Sequence, residues 1–405
     1  MEVRHQHDPL LEGIRILDLT DEKASFCSKL LADLGACVIK VERPGGDLSR
    51  RIGPFLGNDP HPERSLYFFN HNSNKLGVTL NLEHPEGREI FSRLVEKADV
   101  VVESFPPGYL GELGLGFEVL NGTNPKLILI SVTGFGQNGP RSRFKSSDIV
   151  ASAFGGQMYV SGFASTPPLK PFGEQSCYAA SLFGAIGVLL ALKKRIRTGK
   201  GEHVDISMQE SVVSTLEHVW VRYFYEGIIA KRLGGMHWNN NFLIFRCKDG
   251  HILISLLQQW DTLVEWMASE EMAEDLMDDR WKDEKYRQRN LYHVIEVIQR
   301  WASNHTAEEL FEQGQRMRFP WAPVCSPMKV TECPQLSSRG FFIEVDHPEI
   351  SGSIPYPGTP YKFEHGSMDR WRRAPLVGED NVTIFQKELG LSDEELKRLS
   401  AIHVI

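Results

Sequence analysis

Between residues 14 and 208 the chain alternates short apolar runs rich in β-branched residues with longer stretches whose apolar positions recur at helix spacing. Ile14 to Leu19 predicts a strand, Phe26 to Leu34 a helix and Ala36 to Glu42 a second strand. Ala98 to Ser104 and Leu127 to Thr133 predict two more, each entered from a helical segment. Strands alternating with helices predict a parallel sheet with crossover helices, an α/β fold. Tyr178 to Arg195 carries small and aliphatic residues all round and reads as a buried helix. Gly199 to Gly201 breaks that helix, and Val204 to Met208 resumes a strand.

From about Glu210 the pattern changes. Aromatic residues become frequent at Trp220, Tyr223, Phe224 and Tyr225, and Asp249-Gly250 predicts a turn between Leu243–Arg246 and His251–Leu256. Trp260 to Ala322 is charged and helical, with Leu291, Val294, Ile295, Ile298 and Trp301 at helix spacing, and reads as a smaller second domain. The Pro- and Gly-rich tract Val345 to Phe363 predicts an extended return. The last helix, Asp393 to Leu399, opens on Ser392 with Glu395 three residues on, a capping box.

Composition narrows the function classes. A chain of 405 residues with 41% hydrophobic content can bury one large core or two smaller ones. No apolar run is expected to reach the roughly 18 residues of a spanning helix, and Met1 to Pro9 is too polar for a secretory signal, so a cytoplasmic location is expected. A net charge of -8 gives no reason to expect nucleic acid or a membrane as partner. The cysteines (Cys27, Cys37, Cys177, Cys247, Cys325 and Cys333) lack metal-ligand spacing and read as reduced thiols, with no metal site. No Walker-type loop occurs.

Several separated stretches carry a family resemblance by their order. They begin with Leu11-Glu12-Gly13-Ile14-Arg15-Ile16-Leu17-Asp18-Leu19 and Ala32-Asp33-Leu34-Gly35-Ala36-Cys37-Val38-Ile39-Lys40-Val41-Glu42-Arg43-Pro44. Asn72-Ser73-Asn74-Lys75, Glu103-Ser104-Phe105-Pro106-Pro107-Gly108, Thr133-Gly134-Phe135-Gly136 and Thr198-Gly199-Lys200-Gly201 follow, then Ser338-Arg339-Gly340 and Leu376-Val377-Gly378-Glu379. In these the chain resembles the class III CoA-transferases of the formyl-CoA, carnitine and benzylsuccinate type, which move coenzyme A between carboxylic acids.

The resemblance implies a Rossmann-like large domain from both chain ends (1–210 and 331–405), a smaller α+β domain (211–330), and two chains interlocked as a dimer. It implies coenzyme A thioesters as substrates and no cofactor. It also implies a catalytic Asp ten residues before the position of Gly187, whose carboxylate attacks the acyl-CoA carbonyl to give a mixed anhydride. This chain has Cys177 there. A cysteine would form a thioester, which does not readily activate an incoming carboxylate. The thiol would also need a cation or a helix N-terminus to lower its pKa, and only the second is suggested by position, at the start of the Tyr178 helix.

The family's CoA-binding pattern carries over to Arg43, Leu80, Phe105 and Lys145. It fails at Glu112, where many members have Arg, and at Ser104 and Pro106, where Asn and often Arg precede Pro-Gly. Lys23-Ala24-Ser25 stands where the family has Ala-Gly-Pro. Trp238-Asn239-Asn240-Asn241-Phe242 falls where members place a loop over the nucleophile, but it also fits an ordinary turn.

Against these stand plainer readings: Cys177 as a small buried thiol, Arg43 and Lys145 as solvated cations, Asp33 and Asp148 as helix or loop acids. Glu174, three residues before Cys177, is a poor substitute nucleophile because the match to Gly187 leaves no gap. The histidines show no pattern of a hydrolase triad.

Three functions stay open. One is a non-catalytic subunit of a heteromeric CoA-transferase, partnered by an Asp-bearing paralogue and moving CoA from an acyl-CoA, expected to be succinyl-CoA, to an acid such as benzylsuccinate, as in anaerobic toluene breakdown. The second is an active homodimer using Cys177 or another group. The third is a CoA- or acyl-binding protein without turnover.

Overall fold

The computed structural model describes residues 9–237, 242–256, 259–364 and 371–405. The chain forms two compact units, one of residues up to Tyr159 with Lys170–Ala230 and Gly340–Ile405, the other of Val160–Leu169 with Lys231–Arg339. The sequence reading placed the smaller unit at 211–330. Packing leaves 211–230 with the larger unit, extends the smaller one to 339 and adds the excursion 160–169, whose Gly162 carbonyl accepts the Gly234 N–H at 2.9 Å.

The larger unit is built on six strands, all parallel: β1 (Arg15–Leu19), β2 (Cys37–Glu42), β3 (Leu76–Thr79), β4 (Val100–Glu103), β5 (Ile128–Thr133) and β6 (Glu202–Ser207). Their order is β3-β2-β1-β4-β5-β6. In such doubly wound sheets ligands bind beyond the carboxyl ends of the strands, at the switch between β1 and β4. Period-two alternation divides the apolar residues between the two faces. Leu17, Leu19, Ile39, Val41, Val101 and Leu129 pack with Phe91, Leu94 and Phe385. Ile16, Val38, Val100, Val102, Ile128 and Ile130 pack with Cys27, Leu31, Ala180 and Val188 on the other.

Strand β3 was not signalled by the sequence, because four residues including Gly77 show no usable alternation. Its outer edge is closed by the returning chain end. Gly77 N–H donates to Asp380 Oδ2 and Asp380 N–H to the Gly77 carbonyl, both at 2.8 Å, and Thr79 N–H donates to Asn381 Oδ1 at 2.9 Å. Side chains of the C-terminal segment thus occupy donors that an open edge would offer to another chain.

The helix Gln175–Thr198 corrects two expectations. By length and composition it is long and apolar enough to cross a membrane, against the reading that no such run exists. It is also not buried all round: Ala180, Gly184 and Val188 face the sheet, while Leu182, Phe183, Ile186 and Leu190 are exposed. A Cβ on Gly184 would lie 3.1 Å from Cys27 Sγ, so a small residue lets this helix approach α1 (Ser25–Asp33).

The smaller unit holds an antiparallel sheet of β7 (Phe242–Arg246), β8 (His251–Ser255) and β9 (Ala322–Pro323) beside helices Trp260–Ser269, Leu291–Ala302 and Ala307–Arg316. Its core is aromatic, with Trp266, Trp301 and Trp321 in mutual ring contact. Indole N–H groups need partners once buried. Glu270 accepts from Trp266 Nε1 at 2.8 Å and Trp301 Nε1 at 2.7 Å. In the larger unit β10 (Phe342–His347) and β11 (Gly352–Pro357) form a hairpin within the extended return, and the last helix, Asp393–Ala401, carries the expected capping box.

A buried charge cluster fixes the carboxyl end of β1. Asp18 is fully buried and accepts from Lys75 Nζ at 2.8 Å, Ser28 Oγ at 2.5 Å and Thr20 N–H at 2.9 Å, with Lys40 Nζ 3.8 Å away. Burial alone would raise its pKa, but Lys40, Lys75 and the hydrogen bonds hold it well below the usual carboxylate range. Burial brings Lys75 down to about 8, against the pull of Asp18. Removing one member of such a cluster leaves uncompensated charge in the core. Asp18→Asn is expected to destabilise the larger unit by about 3–5 kcal/mol, read by urea unfolding. A loss within experimental error would show that water reaches the lysines.

Candidate functional site

The carboxyl edge of the sheet carries a cavity of about 340 Å³ on the face of Leu19, Val41 and Leu80. It brings together Arg43, just past β2, Leu80, just past β3, and Phe105, just past β4. Lys145 is exposed on the segment before helix Asp148–Phe154 and is not among the lining residues. Neither is Glu112, exposed at the end of the short helix Tyr109–Glu112.

Each carboxylate of the cavity has a hydrogen-bond partner, but among the described residues only Glu42 is paired with a cation. Both Glu42 oxygens take the Arg50 guanidinium at 2.7 Å, Asp47 Oδ1 accepts from Ser49, and Glu83 Oε1 accepts from the Tyr109 hydroxyl at 3.1 Å. Arg43 has no carboxylate within ion-pair distance among the described residues. Sequence reasoning missed Asn81, Leu82, Glu83, Tyr109 and His403 among the lining residues. His403 had no local signal, since only the tertiary fold brings the chain end here.

Cys177 lies on the other face of the sheet, buried in the third residue of its helix. The helix N-terminus, a feature that favours a thiolate, is already occupied. Ser176 and Cys177 N–H both donate to Asp148 Oδ1, at 2.8 and 3.2 Å, and Lys170 Nζ pairs with Asp148 Oδ2 at 2.9 Å. Asp148, read from sequence as a helix or loop acid, therefore caps a second helix. Lys23, whose charge reaches Cys177, is bound to Asp21. Burial pushes the thiol far above its ordinary pKa, and Asp148, Glu174, Glu22 and Asp21 push it the same way. The site favours a neutral thiol. Glu174 Oε2 accepts the Tyr67 hydroxyl at 2.7 Å, so that carboxylate is also engaged.

The departures at Lys23 and Ser104 meet at Asp21, which binds both. Ser104 Oγ accepts Asp21 N–H at 2.8 Å and donates to Asp21 Oδ1 at 2.7 Å, tying the loop after β1 to that after β4. Pro106 borders a second cavity of about 300 Å³ with Glu103, Ser131 and His203. Burial raises Glu103 to about 7. Ser131 Oγ and His203 Nε2 are 2.9 Å apart, a pair hidden from sequence because only the register of β5 and β6 reveals it. No hydrogen bond from the other His203 nitrogen to a carboxylate is found among the described residues, so the pair is not a triad. No group of three or more His, Cys, Asp and Glu side chains suited to a metal occurs among them. Trp238 to Asn241, the expected covering loop, lies outside the described residues.

Comparison with known proteins agrees with the sheet order and the motif order. Residues 11–381 match CoA-transferase family III. The chain is 35% identical over 374 residues to succinyl-CoA:(R)-benzylsuccinate CoA-transferase subunit BbsE of Thauera aromatica, covering 90% of this chain and 91% of that one. It is 34% identical to succinyl-CoA:mesaconate CoA-transferase of Haloarcula hispanica, covering 93% and 96% of the two chains, and 32% identical to human succinyl-CoA:glutarate CoA-transferase, covering 98% and 90%. The crystal structure of a CAIB/BAIF family protein from Brucella suis superposes with a TM-score of 0.85 at 30% identity, covering 94% of this chain and all of that one. The chain belongs to CoA-transferase family III.

Proposed function

We propose that this chain is a cytoplasmic, non-catalytic subunit of a heteromeric CoA-transferase, interlocked with a paralogue that carries the nucleophilic Asp. The observation that carries this reading is Cys177, a buried thiol where the family resemblance implies the nucleophile, beside carboxylates and with its helix N–H groups given to Asp148. Anhydride formation needs a carboxylate at that point. A thiol held neutral supplies neither that group nor a strong nucleophile. The cavity of Arg43, Leu80 and Phe105 is where the nucleotide end of an acyl-CoA would rest on this chain, with Lys145 a more distant cation. The substrates we propose are succinyl-CoA as CoA donor and an aromatic-substituted succinate as acceptor, by analogy with the Thauera relative.

Exposed apolar surface on the larger unit supports a partner. Leu182, Phe183, Ile186 and Leu190 on one helix, and Val221, Phe224 and Tyr225 on helix Val219–Glu226, leave surface that monomers rarely show. A second chain of like fold threaded around the first would cover it and could not be removed without unfolding. An inactive chain can be indispensable in such an assembly.

The purified chain alone is expected to transfer no CoA from succinyl-CoA to any carboxylic acid, and iodoacetamide at pH 8 should label Cys325 while leaving Cys177 untouched until the protein is unfolded. Turnover that Cys177→Ser abolishes would instead establish the thiol as catalyst. Co-expression with an Asp-bearing paralogue should give equal numbers of both chains by native mass, with acyl-CoA reacting on the paralogue only. Homodimers alone, or one competent site on every chain, would defeat the subunit reading.

A further inference from the structure

The final helix ends with a backbone conformation that its residue does not favour. His403 N–H donates to the Ser400 carbonyl at 3.1 Å and Val404 N–H to the Leu399 carbonyl at 2.9 Å, the paired bonds of a Schellman stop. The apolar contact that accompanies such a stop is present too, between buried Leu399 and buried Val404. The residue at the turn must be left-handed, and His403 has φ of 55°. Glycine occupies that position at least cost, while a side chain there is strained. A non-glycine side chain held in such a turn directs attention to what it faces.

The turn places His403 on the cavity of Arg43. The chain end is held against the sheet edge by Asn81 N–H, which donates to the Val404 carbonyl at 2.8 Å, and His403 lines the same cavity as Arg43, Asn81 and Tyr109. Of the carboxylates around it, Glu42 is paired with the Arg50 cation, while Asp47 and Glu83 accept from the neutral donors Ser49 and Tyr109. Arg43 and the imidazole are left to meet a ligand, and both suit an anion with several acceptor oxygens.

We propose that His403 is a ligand-binding residue of this cavity, where its imidazole and the Arg43 guanidinium together hold the phosphate groups of a nucleotide, the left-handed turn being kept to aim it there. This rests on the reading that the cavity takes the nucleotide end of an acyl-CoA, and adds to it a second nitrogen donor from the opposite end of the chain.

The test is isothermal titration of the whole chain with CoA and with ADP, for wild type, Arg43→Ala, His403→Gly and His403→Asn, beside thermal melting of each. His403→Gly should melt at or above wild type, because glycine relieves the turn, yet bind CoA and ADP about fivefold more weakly, as for loss of one partly solvated charge-assisted hydrogen bond. His403→Asn, which tolerates the left-handed turn, should weaken binding similarly. Wild-type affinity in both His403 variants would overturn the assignment while leaving the cavity reading intact. A lower melting temperature for His403→Gly would overturn it as well, by showing that the imidazole serves packing. No binding of either ligand to wild type would remove the cavity reading and the inference with it.

Discussion

A carboxylate sealed beneath the end of β1 sets the frame of this site. Asp18 draws Lys75, Lys40, Ser28 and Thr20 together and so pins β1, β2, α1 and the approach to β3 at one point. Charge buried this completely is tolerated only while its partners stay in place. The loops that leave β1, β2 and β3 start from that point, so Arg43, Leu80 and the Asp21–Ser104 tie inherit its rigidity. The chain end depends on it less directly, through Asp380 and Asn381 on the outer edge of β3.

The same strand ends serve two faces with opposite electrostatic character. On the Leu19 face Glu42 is paired with Arg50, and the Arg43 guanidinium has no carboxylate partner among the described residues, which leaves a cation for phosphate. On the Cys177 face carboxylates converge without a free cation, and a helix N-terminus that could stabilise an anion is satisfied by Asp148. If Cys177 marks the reacting half of the site, the scaffold keeps one half of its binding surface while the other is closed to anionic chemistry. On the proposed reading this is what separates a supporting subunit from its catalytic paralogue.

Much of this was legible in the sequence where local physics dominates. Five of the six parallel strands followed from short β-branched runs, and Ser392 with Glu395 announced the last helix by its own hydrogen bonds. Cys177 stood out by position. What stayed hidden depends on distant pairing: β3 is too short to alternate, Ser131 meets His203 only through strand register, and His403 reaches the Arg43 cavity from the far end of the chain. The Gln175–Thr198 helix misled because an apolar run reads as buried, although Leu182, Phe183, Ile186 and Leu190 are exposed on this chain. Asp148 gave no hint that it would cap another helix, since that contact spans 28 residues.

The central claim is that chemistry does not occur on Cys177. Exposing the co-expressed assembly to succinyl-CoA, quenching in acid and mapping acylated peptides by mass spectrometry tests it most directly. The account predicts acyl label on an aspartate of the partner chain and none on the peptide containing Cys177. A succinyl thioester on Cys177 that forms and decays at the rate of turnover would contradict it.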